Sequence, residues 1–293
     1  MELLANAKIN LTLDILRKRE DGYHDLQMVM QSVTLTDRLT VAPARGARGE
    51  ADSNLHFLPT GDRNLAQMAA AAFRQATGLG DEVDVSIQKR IPVCAGLAGG
   101  SADAAAVLHA MDRLTGAGLN YMDLAKIGEQ VGSDVPYCVL GGTVLAEGRG
   151  EALTPLPDLP WCHVVLCKPP FSVSTPQLFS RVNVRKIVHR PDTEGVIAAL
   201  RAKDLGGVAR RMYNVFEDVL DRRRFDQIAA IKAALIDCGA LGASMSGSGP
   251  TVFGLFDRIG SAREACQRLK ESWEDVFLCE TAQDGIIFID PPV

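Results

Sequence analysis

Residues 91–106 read Ile-Pro-Val-Cys-Ala-Gly-Leu-Ala-Gly-Gly-Ser-Ala-Asp-Ala-Ala-Ala, and this stretch constrains the fold more than any other. Gly96, Gly99 and Gly100 fall within five positions and free the backbone for positive φ and for close approach to a ligand. The alternating run Val83–Gln88 predicts a strand leading in, and Ala102–Leu114 predicts a helix leading out. The start of such a helix presents unpaired N–H groups and the positive end of its dipole. A glycine loop placed there suits the phosphates of a nucleotide. Ser101 has two readings: it caps the helix, or it lends its hydroxyl to a phosphate or its metal. The loop matches neither Gly-x-x-x-x-Gly-Lys-Ser/Thr nor Gly-x-Gly-x-x-Gly, which argues against Walker-type and Rossmann sites. A second glycine run, 242–251, holds Gly247, Ser248 and Gly249 and precedes a strand. Each loop alone also reads as a tight turn without a ligand. The two together point to a shared phosphate cradle.

Composition narrows the partners. The 293 residues carry 31 Lys+Arg against 36 Asp+Glu, a formal charge of −5, with 47% hydrophobic residues. That apolar content excludes dominant disorder, and the acidic balance with no basic tail argues against a nucleic-acid surface. Apolar runs are short and broken by glycine or charge, so no membrane span is expected, and the N-terminus lacks a signal-peptide pattern. Seven scattered cysteines without a Cys-x-x-Cys pair read as reduced, mostly buried thiols of a cytoplasmic protein. Cys162, His163 and Cys167 lie in a predicted strand, which explains them better than a zinc site.

The order of elements predicts an α+β fold in two domains, 1–155 and 156–293, with a boundary texture of Gly148, Gly150, Pro155, Pro157 and Pro160. Strands are expected over 8–16, 26–35, 38–42, 83–88, 162–167 and 251–256, with closing strands near 275–288. Helices are expected from an Asp62 cap to Gly78, over 102–114, 121–130, 194–202, 225–237 and 261–271. Segments 44–53 and 183–192 read as variable surface and carry no assigned function.

Gly132-Ser133-Asp134-Val135-Pro136 reads as a helix start, with Ser133 as cap and Asp134 in the first turn. Asp134 then either complements the helix dipole or acts as a general base held at the helix end. Lys8 and Asn10 share one face of the first strand. Lys8 is either a solvated strand-end charge or, if buried beside a carboxylate and a phosphate, a stabiliser of developing negative charge. Spacing alone does not say whether Lys8 and Asp134 meet.

These segments in order resemble the GHMP kinases. The resemblance rests on Ala7-Lys8-Ile9-Asn10-Leu11, Asp21-Gly22-Tyr23-His24, Arg63-Asn64-Leu65, the loop 91–106, Gly132–Pro136, Ser174-Thr175-Pro176 with Phe179, and Ser246–Pro250. It covers nearly the whole chain. It implies a two-domain GHMP-kinase fold, with an N-terminal half like ribosomal protein S5 domain 2 and a C-terminal ferredoxin-like α/β sandwich. The implied chemistry is ATP-dependent phosphorylation, with Mg²⁺, of the 2-hydroxyl of 4-diphosphocytidyl-2-C-methyl-D-erythritol, a step of non-mevalonate isoprenoid synthesis. By the same resemblance Asn64 lies near the adenine, and Pro92, Val93, Cys94, Ala95, Gly96, Leu97, Ala98, Gly99, Gly100, Ser101 and Ala102 wrap the ATP phosphates. Asp134 takes the hydroxyl proton, with Lys8 holding it in register. Asn10, Tyr23, His24, Thr175 and Phe179 bind the acceptor, the cytosine lying between Tyr23 and Phe179 with His24 at its edge. No metal ligand is assigned, and the implied form is a monomer or homodimer. Many members carry two serines where this chain has Ser101-Ala102, and a glycine where Ala98 stands. Two other readings stand beside this one: another kinase of the superfamily, acting on mevalonate, phosphomevalonate or homoserine, or a nucleotide-binding protein without catalysis.

Overall fold

The computed structural model describes residues 1–289, so the last four residues of the expected second domain lie outside the described residues. Strand β1 (Glu2–Lys18) and strand β2 (His24–Pro43) pair antiparallel along most of their length, joined through the Asp21-Gly22 turn. The sequence predicts two strands, 26–35 and 38–42; the structure has one. Their apparent break is a register shift, because Asn6 faces Thr36 while Ala7 faces Val33. The ladder bends there without ending, as a bulge does. A second shift between Asn10 and Thr12 sits beside the candidate site.

β2 also pairs with β4 (Val83–Gln88) and β5 (Thr143–Gly148) on its other edge, and β4 carries the short parallel β3 (Ala51–Ser53). β6 (Ala152–Pro155) closes a hairpin with β5. Against this sheet pack α1 (Leu65–Thr77) and α2 (Gly99–Thr115), followed by α3 (Tyr121–Glu129) and the short α4 (Val135–Leu140). In α2 every residue from Ala102 to Met111 is buried. The alanines let it lie close against β1 and α1, where larger side chains would hold the layers apart. The α1 cap is Asn64, whose Oδ1 accepts from the Ala66 N–H at 2.9 Å, rather than Asp62 as the sequence suggests.

The second half holds β7 (His163–Lys168), α5 (Thr175–Arg181), α6 (Thr193–Arg201), α7 (Leu205–Ala209), the two-residue β8 (Tyr213–Asn214) and α8 (Arg222–Asp237). It ends with β9 (Gly242–Met245), β10 (Val252–Phe256), α9 (Ile259–Lys270), β11 (Asp275–Ala282) and β12 (Ile286–Phe288). β11 pairs with β7 over Asp275–Glu280 and then with β2 at Thr281 and Ala282. β12 returns to the edge of β1. The sheet is therefore continuous in the order β12-β1-β2-β11-β7-β10-β9. One apolar cluster gathers Ala7, Ile9 and Leu11 with Val164, Leu166, Phe253 and Leu255, so both halves share a core.

Candidate active site

Lys8 is 3% exposed on β1, and its ammonium donates to Asn10 Oδ1 at 2.6 Å. Strand periodicity puts the two side chains on one face. Asn10 is fully buried, and its N–H donates to Ser246 Oγ at 3.3 Å. Across the cavity, Asp134 is itself the N-cap of α4, one residue later than the Ser133 cap the sequence suggests. Its side chain makes no capping bond, which leaves the carboxylate turned to the cavity, 38% exposed, with Oδ2 3.8 Å from Lys8 Nζ. The structure thus brings together the two groups whose meeting the spacing left open.

The two glycine loops interlock beside them. Gly96 has φ +76°, and a Cβ there would lie 2.1 Å from the Ser246 carbonyl oxygen. Ser246 Oγ donates to the Gly96 carbonyl at 2.9 Å, the Thr251 N–H to the Ala95 carbonyl at 3.2 Å, and the Lys8 N–H to the Leu97 carbonyl at 3.1 Å. Asn214, fully buried, donates through Nδ2 to the carbonyls of Met245 and Gly247, both at 2.8 Å. Ser248 Oγ meets Thr175 Oγ1 of α5 at 2.8 Å. Helix α2 begins at Gly99, three residues before the predicted start, with Ala98 as N-cap at φ 58° and no side-chain cap bond. Ser101 therefore lies in the first turn, free of a capping role. Cys94 shares the left-handed backbone, at φ 52°. Each such residue costs roughly 1–2 kcal/mol relative to a right-handed geometry.

Two cavities meet at this point. One, about 540 Å³, is lined by Asn64, by loop residues from Pro92 to Ser101 (Leu97 apart, which is buried), and by Asp134 and Ser248. Ala102 is buried beneath it. The other, about 720 Å³, is lined by Lys8, Asn10, Tyr23, His24, Phe179 and Gly247, again with Asp134 and Ser248. Gly96, Ser101, Asp134, Thr175, Pro176 and Ser248 face both. The carboxylate stands at the waist.

In the larger cavity His24 stacks on Phe179, ring centroids 5.1 Å apart and planes 21° from parallel. Burial, helped by the Lys18 charge, holds the His24 ring below its ordinary pKa, so it is neutral at neutral pH. Tyr23 is 58% exposed, and the Arg149 guanidinium lies over its ring at 5.2 Å. The ring against Phe179 is thus His24, with Tyr23 one residue away at the rim. Among the described residues there is no group of three or more His, Cys, Asp or Glu that could hold a metal ion.

Sequence reasoning missed Lys18 and Arg149 on the acceptor side, Asn214 behind the second loop, and the buried trio Lys89, Asp37 and Asp103 behind the first. A charged pair, Lys89-Arg90, between a strand and a glycine loop, and one aspartate inside an alanine run, were the available signals.

The family models for the GHMP kinase N-terminal domain and C-terminal domain match residues 64–142 and 196–275. A 4-diphosphocytidyl-2-C-methyl-D-erythritol kinase of Acetivibrio thermocellus is 44% identical over 282 residues, covering 96% of this chain and 99% of its own. The enzyme of that name from Lachnoclostridium phytofermentans is 42% identical, covering 92% of each chain. A solved structure of a 4-(cytidine 5'-diphospho)-2C-methyl-D-erythritol kinase superposes with a TM-score of 0.80 at 33% identity, covering 96% of this chain and 99% of that one. With its loops, helix and strand order on that fold, the chain belongs to the GHMP kinase family, in the same branch as these 4-diphosphocytidyl-2-C-methyl-D-erythritol kinases.

Proposed function

We propose that the chain transfers the γ-phosphoryl group of ATP to the 2-hydroxyl of 4-diphosphocytidyl-2-C-methyl-D-erythritol, in non-mevalonate isoprenoid precursor synthesis. The observation that carries the reading is Asp134 at the waist between two cavities, one floored by a phosphate-type loop and the other lined by aromatic rings. ATP occupies the smaller cavity, its phosphates against the amides of 92–102 and its adenine toward Asn64. The acceptor occupies the larger, with the cytosine taken up by Tyr23, His24 and Phe179. A neutral imidazole suits the base edge, because it offers one donor and one acceptor. Thr175 and Asn10 border the polyol.

Asp134 Oδ2 accepts the hydroxyl proton as the oxygen attacks the γ-phosphorus and the bond to the bridging oxygen of ADP breaks. Lys8 keeps the carboxylate in register and neutralises charge on the transferring group. In such reactions positioning and charge neutralisation supply most of the acceleration. Asn10 holds the ammonium in place, and Gly247–Gly249 close the cradle from the other side. Mg²⁺ carried in on the nucleotide would supply further neutralisation, and the Ser101 hydroxyl and the Asp134 carboxylate are side-chain oxygens of this cavity that could hold it.

The same reading makes the protein a cytoplasmic monomer or homodimer without nucleic-acid or membrane partners. All seven cysteines are free thiols, six of them buried, and no helix among the described residues is long and apolar enough to cross a membrane. The division at 155/156 is kept as a division of labour: the first half supplies Lys8, Asp134 and the ATP loop, the second supplies Phe179 and the second glycine loop.

The test is ADP release with ATP, Mg²⁺ and each candidate acceptor in turn. Turnover with the cytidine compound is expected. Turnover with mevalonate, phosphomevalonate or homoserine in its place would overturn the assignment, because those acceptors carry no base for the aromatic cavity.

A further inference from the structure

Behind the nucleotide loop lies a buried three-charge cluster that the phosphoryl-transfer chemistry leaves unused. Lys89 follows β4, and its ammonium donates to Asp37 Oδ2 at 2.5 Å and to Asp103 Oδ2 at 2.6 Å. All three side chains are buried, Asp37 completely. The partners come from three places: β2, the strand-to-loop joint, and the first turns of α2. Asp37 Oδ1 accepts the N–H groups of Arg90 at 2.6 Å and Ile91 at 2.9 Å, the residues that open the glycine loop. Asp103 lies four residues beyond Gly99, where the loop becomes helix. A Cβ on Gly99 would stand 3.3 Å from Lys89 Nζ and 2.9 Å from Ile91 Cγ2, so the two ends of the loop nearly touch over the ammonium. Between those ends, Cys94 and Ala98 hold left-handed backbone without being glycine. Strained residues of this kind persist only where the surroundings over-determine them.

Taking the 540 Å³ cavity as the nucleotide site, we propose that Asp37, Lys89 and Asp103 form a clamp that pins both ends of loop 91–99 and thereby sets the affinity for ATP. Lys89 and Asp103 border that cavity at its inner wall, but both side chains are buried and spent on one another, so they serve as positioning residues that act through the loop amides. One ammonium holds two carboxylates, one on the sheet and one on the helix. The loop between is fixed in the shape that its own strained residues resist. Burial pushes the Asp103 carboxyl up to about 7 against the pull of Lys89, as expected of two carboxylates sharing one cation. Asp103 Oδ1 has no hydrogen-bond partner, and Asp37 beside it adds to the rise in its pKa, so the attractive contact that ties this side chain to the clamp is the one from Lys89 to Oδ2.

The test compares Asp103→Ala, which cuts the helix from the ammonium, with Asp103→Asn, which keeps an oxygen for Lys89. The full-length chain is used, and the readouts are the KM for ATP, the Kd of a non-hydrolysable ATP analogue, and the Kd of the acceptor without nucleotide. Asp103→Ala is expected to weaken both nucleotide constants about tenfold, the scale of one lost charge-assisted hydrogen bond, with acceptor Kd unchanged. Asp103→Asn is expected to restore most of that loss. Wild-type nucleotide constants in Asp103→Ala, or an equal loss of acceptor affinity, would overturn the clamp. Should Asp103→Ala fail to fold, Lys89→Gln with Lys89→Arg as the restoring partner carries the same comparison. The analogue Kd needs no turnover, so the clamp stands or falls apart from the acceptor's identity.

Discussion

Asp134 and Lys8 face each other from different elements, one exposed enough to reach a substrate and one buried enough to stay put. At this scale chemistry is a matter of single groups. Replacing Asp134 by Asn removes the proton acceptor while preserving shape, and kcat is expected to fall by a factor on the order of 10²–10⁴. ATP-analogue affinity should stay nearly intact, measured by calorimetry on the same preparation. An unchanged kcat would remove Asp134 from its role. His24 gives a pH signature. Its pKa is lowered by burial and by Lys18, so the neutral ring persists at neutral pH and is lost only as pH falls through that lowered value. The KM for the acceptor is expected to be level near neutrality and to rise in acid below the ordinary histidine value of about 6.5. In His24→Ala the KM should be raised throughout and lose that rise. A wild-type KM level into acid would dissociate His24 from base recognition. Lys8, Asn10, Tyr23, His24 and Asp134 were all visible as residues in the sequence. Their mutual distances were not, since 126 positions separate Lys8 from Asp134 and only the sheet and α4 bring them together.

The loop and its helix behave as one element. The strand–glycine–helix order could be read directly, because alternation, glycine spacing and alanine content are local properties. Element boundaries are less legible. Asn64 caps α1 in place of Asp62, and Asp134 takes the N-cap position of α4 in place of Ser133 without a side-chain capping bond; nearby residues of similar capping ability are separated only by where the backbone turns first. Helix α2 starts at Gly99 because an alanine, Ala98, adopts the left-handed geometry at its N-cap. Replacing Ala98 by Gly relieves that strain at some cost in unfolded-chain entropy, for a net stabilisation of about 0.5–1 kcal/mol. Thermal melting should show a higher Tm with ATP affinity retained. A lower Tm would mean that the Ala98 methyl packs more favourably than its backbone strains.

Across the whole molecule, β11 is the joint. It pairs with β7 in one half and with β2 in the other, while β12 continues to β1. The apolar clusters mix residues of both halves. Urea unfolding is therefore expected as one cooperative transition, with tryptophan fluorescence and far-ultraviolet circular dichroism coinciding. Two separated transitions would show that the halves are independent in energy as well as in labour. Local order along the chain dictates the local devices: a glycine loop opening a helix, a second glycine run before a strand, and the residue types able to accept a proton, hold a phosphate or stack on a base. Those follow from short-range sterics and hydrogen bonding. It takes the folded chain to interlock the two loops through Gly96 and Ser246, to set Lys8 3.8 Å from Asp134, and to join Asp37 to Asp103 through Lys89. Each of those contacts joins distant segments or depends on burial, and burial is fixed by how the whole chain packs.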